Sequence, residues 1–155
     1  WDVSNVTDMS YMFNDASHGP DFENWDVGNV TDMSYMFAYT YEFFHDLSGW
    51  DVSNVTDMSH MFHYADSFNQ GIGGWDVSNV TNMSTMFWGD WYFNEDIGAW
   101  DVSNVTDMSF MFYESWSFNQ DLSNWCVENF SSEPVGFATD ASSWTEPQPI
   151  WGTCP

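Results

Sequence analysis

The residues of this chain best suited to chemistry are carboxylates that recur at a fixed interval. Asp2, Asp26, Asp51, Asp76 and Asp101 are separated by 24 residues and then by 25 each time. If the chain coils once per interval, neighbouring carboxylates stand ~4.8 Å apart, the spacing of backbones laid side by side. Bare charges that close repel by about 1 kcal/mol in water. A column of oxygens suits Ca2+, which accepts irregular sets of carboxylate ligands. The competing reading is that each Asp accepts hydrogen bonds from its own turn. Two carboxyls ~5 Å apart are also what a retaining glycosidase sets about its sugar. Here every interval offers the same pair and none offers a cleft, so no catalysis is expected. No nucleophile motif or phosphate-cradling glycine loop appears, and His18, His45, His60 and His63 share no repeating ligand spacing. The four histidines read as loop or surface residues.

A second column carries modification chemistry. Asn5, Asn29, Asn54, Asn79 and Asn104 each begin N-V-T, and Asn129 begins N-F-S. All six fit the N-glycosylation sequon. Asn is equally a good helix cap. The two roles are compatible, because a glycan occupies the amide nitrogen and leaves the oxygen free. Crowding between close coils limits how many sites can carry one.

Composition narrows the partners. The 155 residues suit one domain, and 43% hydrophobic with 21% aromatic content supplies a core. Twenty-four acids face no Lys and no Arg, for a formal charge of −24. Phosphate recognition needs cations, so nucleic acid and anionic lipid surfaces are poor partners. No apolar run reaches the ~18 residues that membrane insertion requires.

The elements that must position these residues follow from one repeated phrase. WDVSNVTDMSYMF at Trp1 returns as WDVGNVTDMSYMF at Trp25, WDVSNVTDMSHMF at Trp50, WDVSNVTNMSTMF at Trp75 and WDVSNVTDMSFMF at Trp100. A decayed start, WCVENFSS, begins at Trp125. A period of this length marks a solenoid in which like residues stack. All ten Met fall in two columns, beginning at Met9 and Met12, and these read as core. Trp50 and Val52 alternate as a short half-buried strand does. Val55, Met58, Met61 and Phe62 fall on one face of a short helix. Asn or Ser before that stretch, with Asp three residues after Asn, is the pattern of a capping box. The expected fold is therefore an α/β repeat: a right-handed leucine-rich-repeat-like solenoid with one short strand and one short helix per coil. Residues 1–125 form five repeats, and 126–155 form a sixth, decayed start with a C-terminal cap.

The stretches SFNQDLSNW at 117–125 and WDVSNVTDMS at 100–109 make the pattern specific. Through them the chain resembles the BspA-like leucine-rich repeat surface proteins, over residues 1–125. That resemblance implies an extracellular or cell-surface location and a role in adhesion. In such a setting Cys126 and Cys154 pair most simply with each other, tying the tail to the last coil. The alternative is a bond between subunits.

Two further features bear on partners. Solenoids need a polar terminal unit, and Trp1 and Val3 open the first coil without one. The expectation is an open N-terminal face that either has lost an upstream domain or is covered by another subunit, and in the second case a non-closing head-to-tail contact builds a filament. Specificity is expected where the repeat varies: at Tyr11, Tyr35, His60, Thr85 and Phe110, and at aromatics the repeat does not demand. Those are Tyr39, Tyr41, Trp88, Trp91, Tyr92 and Trp116, candidates for contact with glycan or protein. The expected function is thus structural and non-enzymatic, a filament or matrix subunit that binds itself. The alternative is a surface adhesin binding an extracellular protein or glycan.

Overall fold

A computed structural model of the protein describes residues 1–16 and 19–155; His18 lies outside them. The chain winds into coils of one repeat each. Successive coils meet in register through backbone hydrogen bonds, such as Met33 N–H to Asp57 O at 3.0 Å and Met58 N–H to Asn82 O at 3.0 Å. Side chains at equivalent positions stack along the pile. Phe13, Phe37, Phe62, Phe87 and Phe112 form a row of parallel rings with centroids 5.6 to 5.9 Å apart. The phrase tryptophans form another row. Each indole N–H of Trp50, Trp75, Trp100 and Trp125 reaches a carbonyl of the previous coil at 3.0 to 3.1 Å. The Val and Met rows are buried between them, except in the first coil, where Val6 is partly buried and Met12 exposed.

The α/β class and the leucine-rich-repeat-like solenoid do not hold. Among the described residues there is no helix, and extended pairing is confined to single residues: Asp8, Asp32, Asp57, Asn82 and Asp107, bridged in parallel. The expected strand at Trp50 and Val52 is a short unpaired stretch between two turns, closed by Trp50 N–H to Leu47 O and Val55 N–H to Val52 O. The expected helix is a run of turns. Met61, His63 and Ala65 donate to the residue three back, while Met58, His60, Phe62 and Tyr64 donate to the next coil. A helix spends every interior N–H within its own segment, four residues back. Here alternate amides leave the coil, and left-handed residues enforce that path. His60 has φ 58° and Tyr64 φ 52°, and Tyr11, Tyr35, Thr85 and Phe110 repeat the first of these positions. Non-glycine residues in that region cannot continue a right-handed helix. The spacing of three between Val55, Met58 and Met61 is the period of consecutive turns, not of a 3.6-residue helix.

The capping box is likewise replaced. Asp57 Oδ1 accepts from Ser59 N–H at 2.8 Å, and Asn54 Nδ2 donates to Gly28 O at 2.7 Å in the previous coil. Side chains of this size satisfy a backbone amide two residues on and so close a turn locally. The same Asp-x-Ser device recurs at Asp46 to Ser48 and Asp51 to Ser53, so one coil has three such corners. The hydrophobic residue between each pair, Leu47, Val52 or Met58, points into the core.

The sixth coil keeps to the path well beyond its decayed phrase. Phe110, Phe112 and Glu114 donate to Val135, Phe137 and Thr139, and Leu122 donates to Pro147. Cys126 and Cys154 form a disulfide that closes the last segment on itself. Phe137 is fully buried, and Trp144 packs edge-on against Phe118 at 4.8 Å. No helix among the described residues is long and apolar enough to cross a membrane.

Candidate functional site

The carboxylate column at Asp2, Asp26, Asp51, Asp76 and Asp101 is built from corner turns. Asp2, Asp51 and Asp76 each accept both the hydroxyl and the amide of the Ser two residues on. Those bonds, the hydroxyl first, hold all three carboxyls below the ordinary range. Asp26 accepts Gly28 N–H and Asp101 accepts Ser103 N–H. One oxygen of each is thus engaged by its own turn, and the other is the one a hard cation such as Ca2+ would take. Among the described residues, no three His, Cys, Asp or Glu side chains converge as a metal-holding group.

The asparagine column faces solvent, but its amides are engaged. Asn29, Asn54, Asn79, Asn104 and Asn129 each donate from Nδ2 to a carbonyl of the preceding coil at 2.7 Å. Asn5 occupies the equivalent place in the first coil. A glycan on any of these nitrogens has to share it with that rung. Of the two residues at the front of the first coil, Trp1 is exposed and stacks on Trp25 at 5.9 Å, whereas Val3 is buried.

The six candidate aromatics divide into two groups. Tyr39, though as exposed as Trp91, joins Trp88 in a packed layer. Tyr39 hydroxyl lies 3.1 Å from His63 Nε2, and Trp88 packs against Tyr113 at 4.8 Å and Phe110 at 5.4 Å. Tyr64 joins them, its ring lying across Gly89 so that the hydroxyl donates to Glu114 Oε2 at 3.3 Å. At Gly89, with φ 69°, a β-carbon would meet that ring. His63, buried here, is lowered to about 4, chiefly by desolvation and then by the neighbouring His60. The outer group is Tyr41, Trp91, Tyr92 and Trp116, all exposed. Trp91 and Trp116 stack face to face from adjacent coils, 4.9 Å apart and 5° from parallel.

Three features of this face escaped the sequence reading. Tyr35 stacks between Tyr11 at 4.4 Å and His60 at 4.1 Å, so the variable position of the phrase forms its own ring column. Asp66 stands in the column of Tyr41, Trp91 and Trp116, half-buried, with Oδ1 enclosed and lacking a hydrogen-bond partner. Asp90 occupies the buried column of Thr40, Ala65 and Ser115, fully enclosed, with neither oxygen in a hydrogen bond. Burial pushes its carboxyl well above the ordinary value. The nearby Phe93 and Tyr92 amides pull the other way without completing a bond, and Asp66 pushes it up further. Aligning the repeats would have exposed both acids, since each interrupts a column of a different chemical kind.

The model of the family described as "Mycoplasma protein of unknown function, DUF285" matches residues 1–78 and, again, 41–151. No curated protein matches the chain, and no solved structure does.

Proposed function

The chain belongs to the DUF285 family, and we propose that it is a non-catalytic extracellular binding protein, a surface adhesin that presents an aromatic face to a protein or glycan ligand. The observation that carries this reading is the outer group of Tyr41, Trp91, Tyr92 and Trp116. Rings of this size held in solvent by a hydrogen-bonded framework are costly to leave bare and suit contact with a partner. The core does not require them there, because Asp66 fills the same column in the third coil. The disulfide fits an oxidising compartment. The resemblance of the repeat phrase to that of BspA-like surface proteins points the same way.

Head-to-tail assembly into a filament is the second reading. It is favoured by the periodicity of the rungs, since each coil offers the same amides to its neighbour. It is opposed by charge, since copies carrying −24 each repel. Two measurements separate the readings. Immobilised protein is probed with an array of neutral glycans, anionic glycans, and cationic and anionic peptides, and native material is imaged by electron microscopy. Single particles that retain an array ligand support the adhesin. Fibres without array binding support the filament. Single particles that bind nothing on the array remove both.

A further inference from the structure

On the outer face, aromatic surface and unsatisfied acid lie together. The column runs Tyr41, Asp66, Trp91, Trp116 through four successive coils. Trp116 covers one face of Trp91, and the register sets Asp66 on the side of Trp91 opposite Trp116. Asp66 has one enclosed oxygen with no donor, so its other oxygen is the one open to a partner, whereas both oxygens of Asp90 are enclosed and out of a partner's reach. No side chain of this protein can pair Asp66 with a strong cation, because the chain has no Lys and no Arg.

Resting on the reading of this face as a binding surface, we propose that the Tyr41–Asp66–Trp91–Trp116 column docks an arginine-bearing cationic segment of a partner protein, with a guanidinium lying against the indole and paired with the Asp66 carboxylate. A guanidinium is planar and stacks on aromatic faces. Its in-plane donors can also reach the open Asp66 oxygen while the plane stays on the ring, which a lysine ammonium cannot do. The overall charge of −24 steers a basic partner toward the face and repels an anionic one. A neutral sugar could cover the indoles and donate a hydroxyl to Asp66, but it would bring no charge to match the carboxylate.

The test uses the full chain with its disulfide intact, titrated calorimetrically at about 0.15 M salt. The probes are an arginine–glycine peptide, a lysine–glycine peptide of equal charge, and a neutral oligosaccharide. The arginine peptide is expected to bind several-fold more tightly than the lysine peptide. Trp91→Ala with Trp116→Ala leaves net charge unchanged and is expected to weaken arginine-peptide binding about tenfold. Asp66→Asn is expected to weaken it and to erase the preference for arginine. If the double variant loses its melting transition, Asp66→Asn and the arginine-to-lysine ratio decide instead. Parental affinity in the double variant would mean generic charge attraction and overturn the proposal. Oligosaccharide binding without peptide binding would overturn the cationic partner while leaving the binding face standing. A chain that binds nothing on the array removes the face itself.

Discussion

Asp90 is the residue most at odds with its surroundings. Its equivalents are Thr40, Ala65 and Ser115, and two of them solve the burial of a polar atom locally. Thr40 hydroxyl donates to Phe37 O at 2.7 Å and Ser115 hydroxyl to Phe87 O at 2.6 Å. A carboxylate has no proton to give a carbonyl, so Asp90 is accommodated best when protonated. A carboxyl whose folded-state pKa lies above its ordinary 3.8 contributes most below that value and loses its contribution as pH rises through the folded-state pKa. Asp90→Ala, which copies Ala65, is therefore expected to raise the melting temperature at pH 7, by an amount corresponding to about 2 kcal/mol. The advantage should shrink on acidification toward pH 4. Melting curves of both proteins at the two pH values check this, and an alanine variant that melts lower at pH 7 would contradict it. The side chain was visible in the sequence all along. That it sits in a closed column rather than on the surface beside Trp91 was not.

At the scale of the element, the unit is the Asp-x-Ser corner. Up to three such corners per coil take the place that strand and helix were expected to hold, and each puts one hydrophobic residue inward while its Asp or Asn satisfies an amide. Asn82 stands where Asp57 and Asp107 stand and accepts the same bond, from Ser84 N–H at 3.0 Å. Acceptance, rather than charge, is then what the corner needs. Asp107→Ala should cost about 1 kcal/mol in urea unfolding by leaving Ser109 N–H without its partner, whereas Asp107→Asn should be nearly neutral. Equal losses in the two variants would show that the charge itself matters, as it would if a cation were held there. The corner was half legible. D-V-S and D-M-S recur in most repeats and D-L-S in two, but a spacing of three also fits a helix face. Only the left-handed residues after Met58 and Phe62 separate the two, and residue type does not announce them: Tyr, His, Thr and Phe all occupy the first position.

For the whole molecule, cohesion comes from the stack and from the closure of its last turn. The disulfide spans 28 residues and closes the sixth coil, whose Phe137 and Trp144 pack against Phe112 and Phe118 of the fifth. By the chain-entropy argument, a loop of that size contributes about 3 to 4 kcal/mol. Reduction should lower the melting temperature without producing covalent oligomers in the oxidised sample. Non-reducing electrophoresis and calorimetry with and without reductant check both halves. A ladder of disulfide-linked species would return Cys126 and Cys154 to the role of subunit links.

The sequence by itself determined the stacking, because a hydrophobic set repeated every 25 residues can be buried only if each copy lies on the last. It also determined the rows of Trp, Val, Met and Phe, and the charge that sets which partners are repelled. The tertiary structure alone decided how each coil is wound. The backbone amides could be satisfied within a segment or across to the next coil, both choices bury the same side chains, and local propensity does not distinguish them. Bonding across the stack makes turns of what would have been a helix. That choice then fixes which acids are enclosed and which tryptophans meet, so the character of the outer face depended on it.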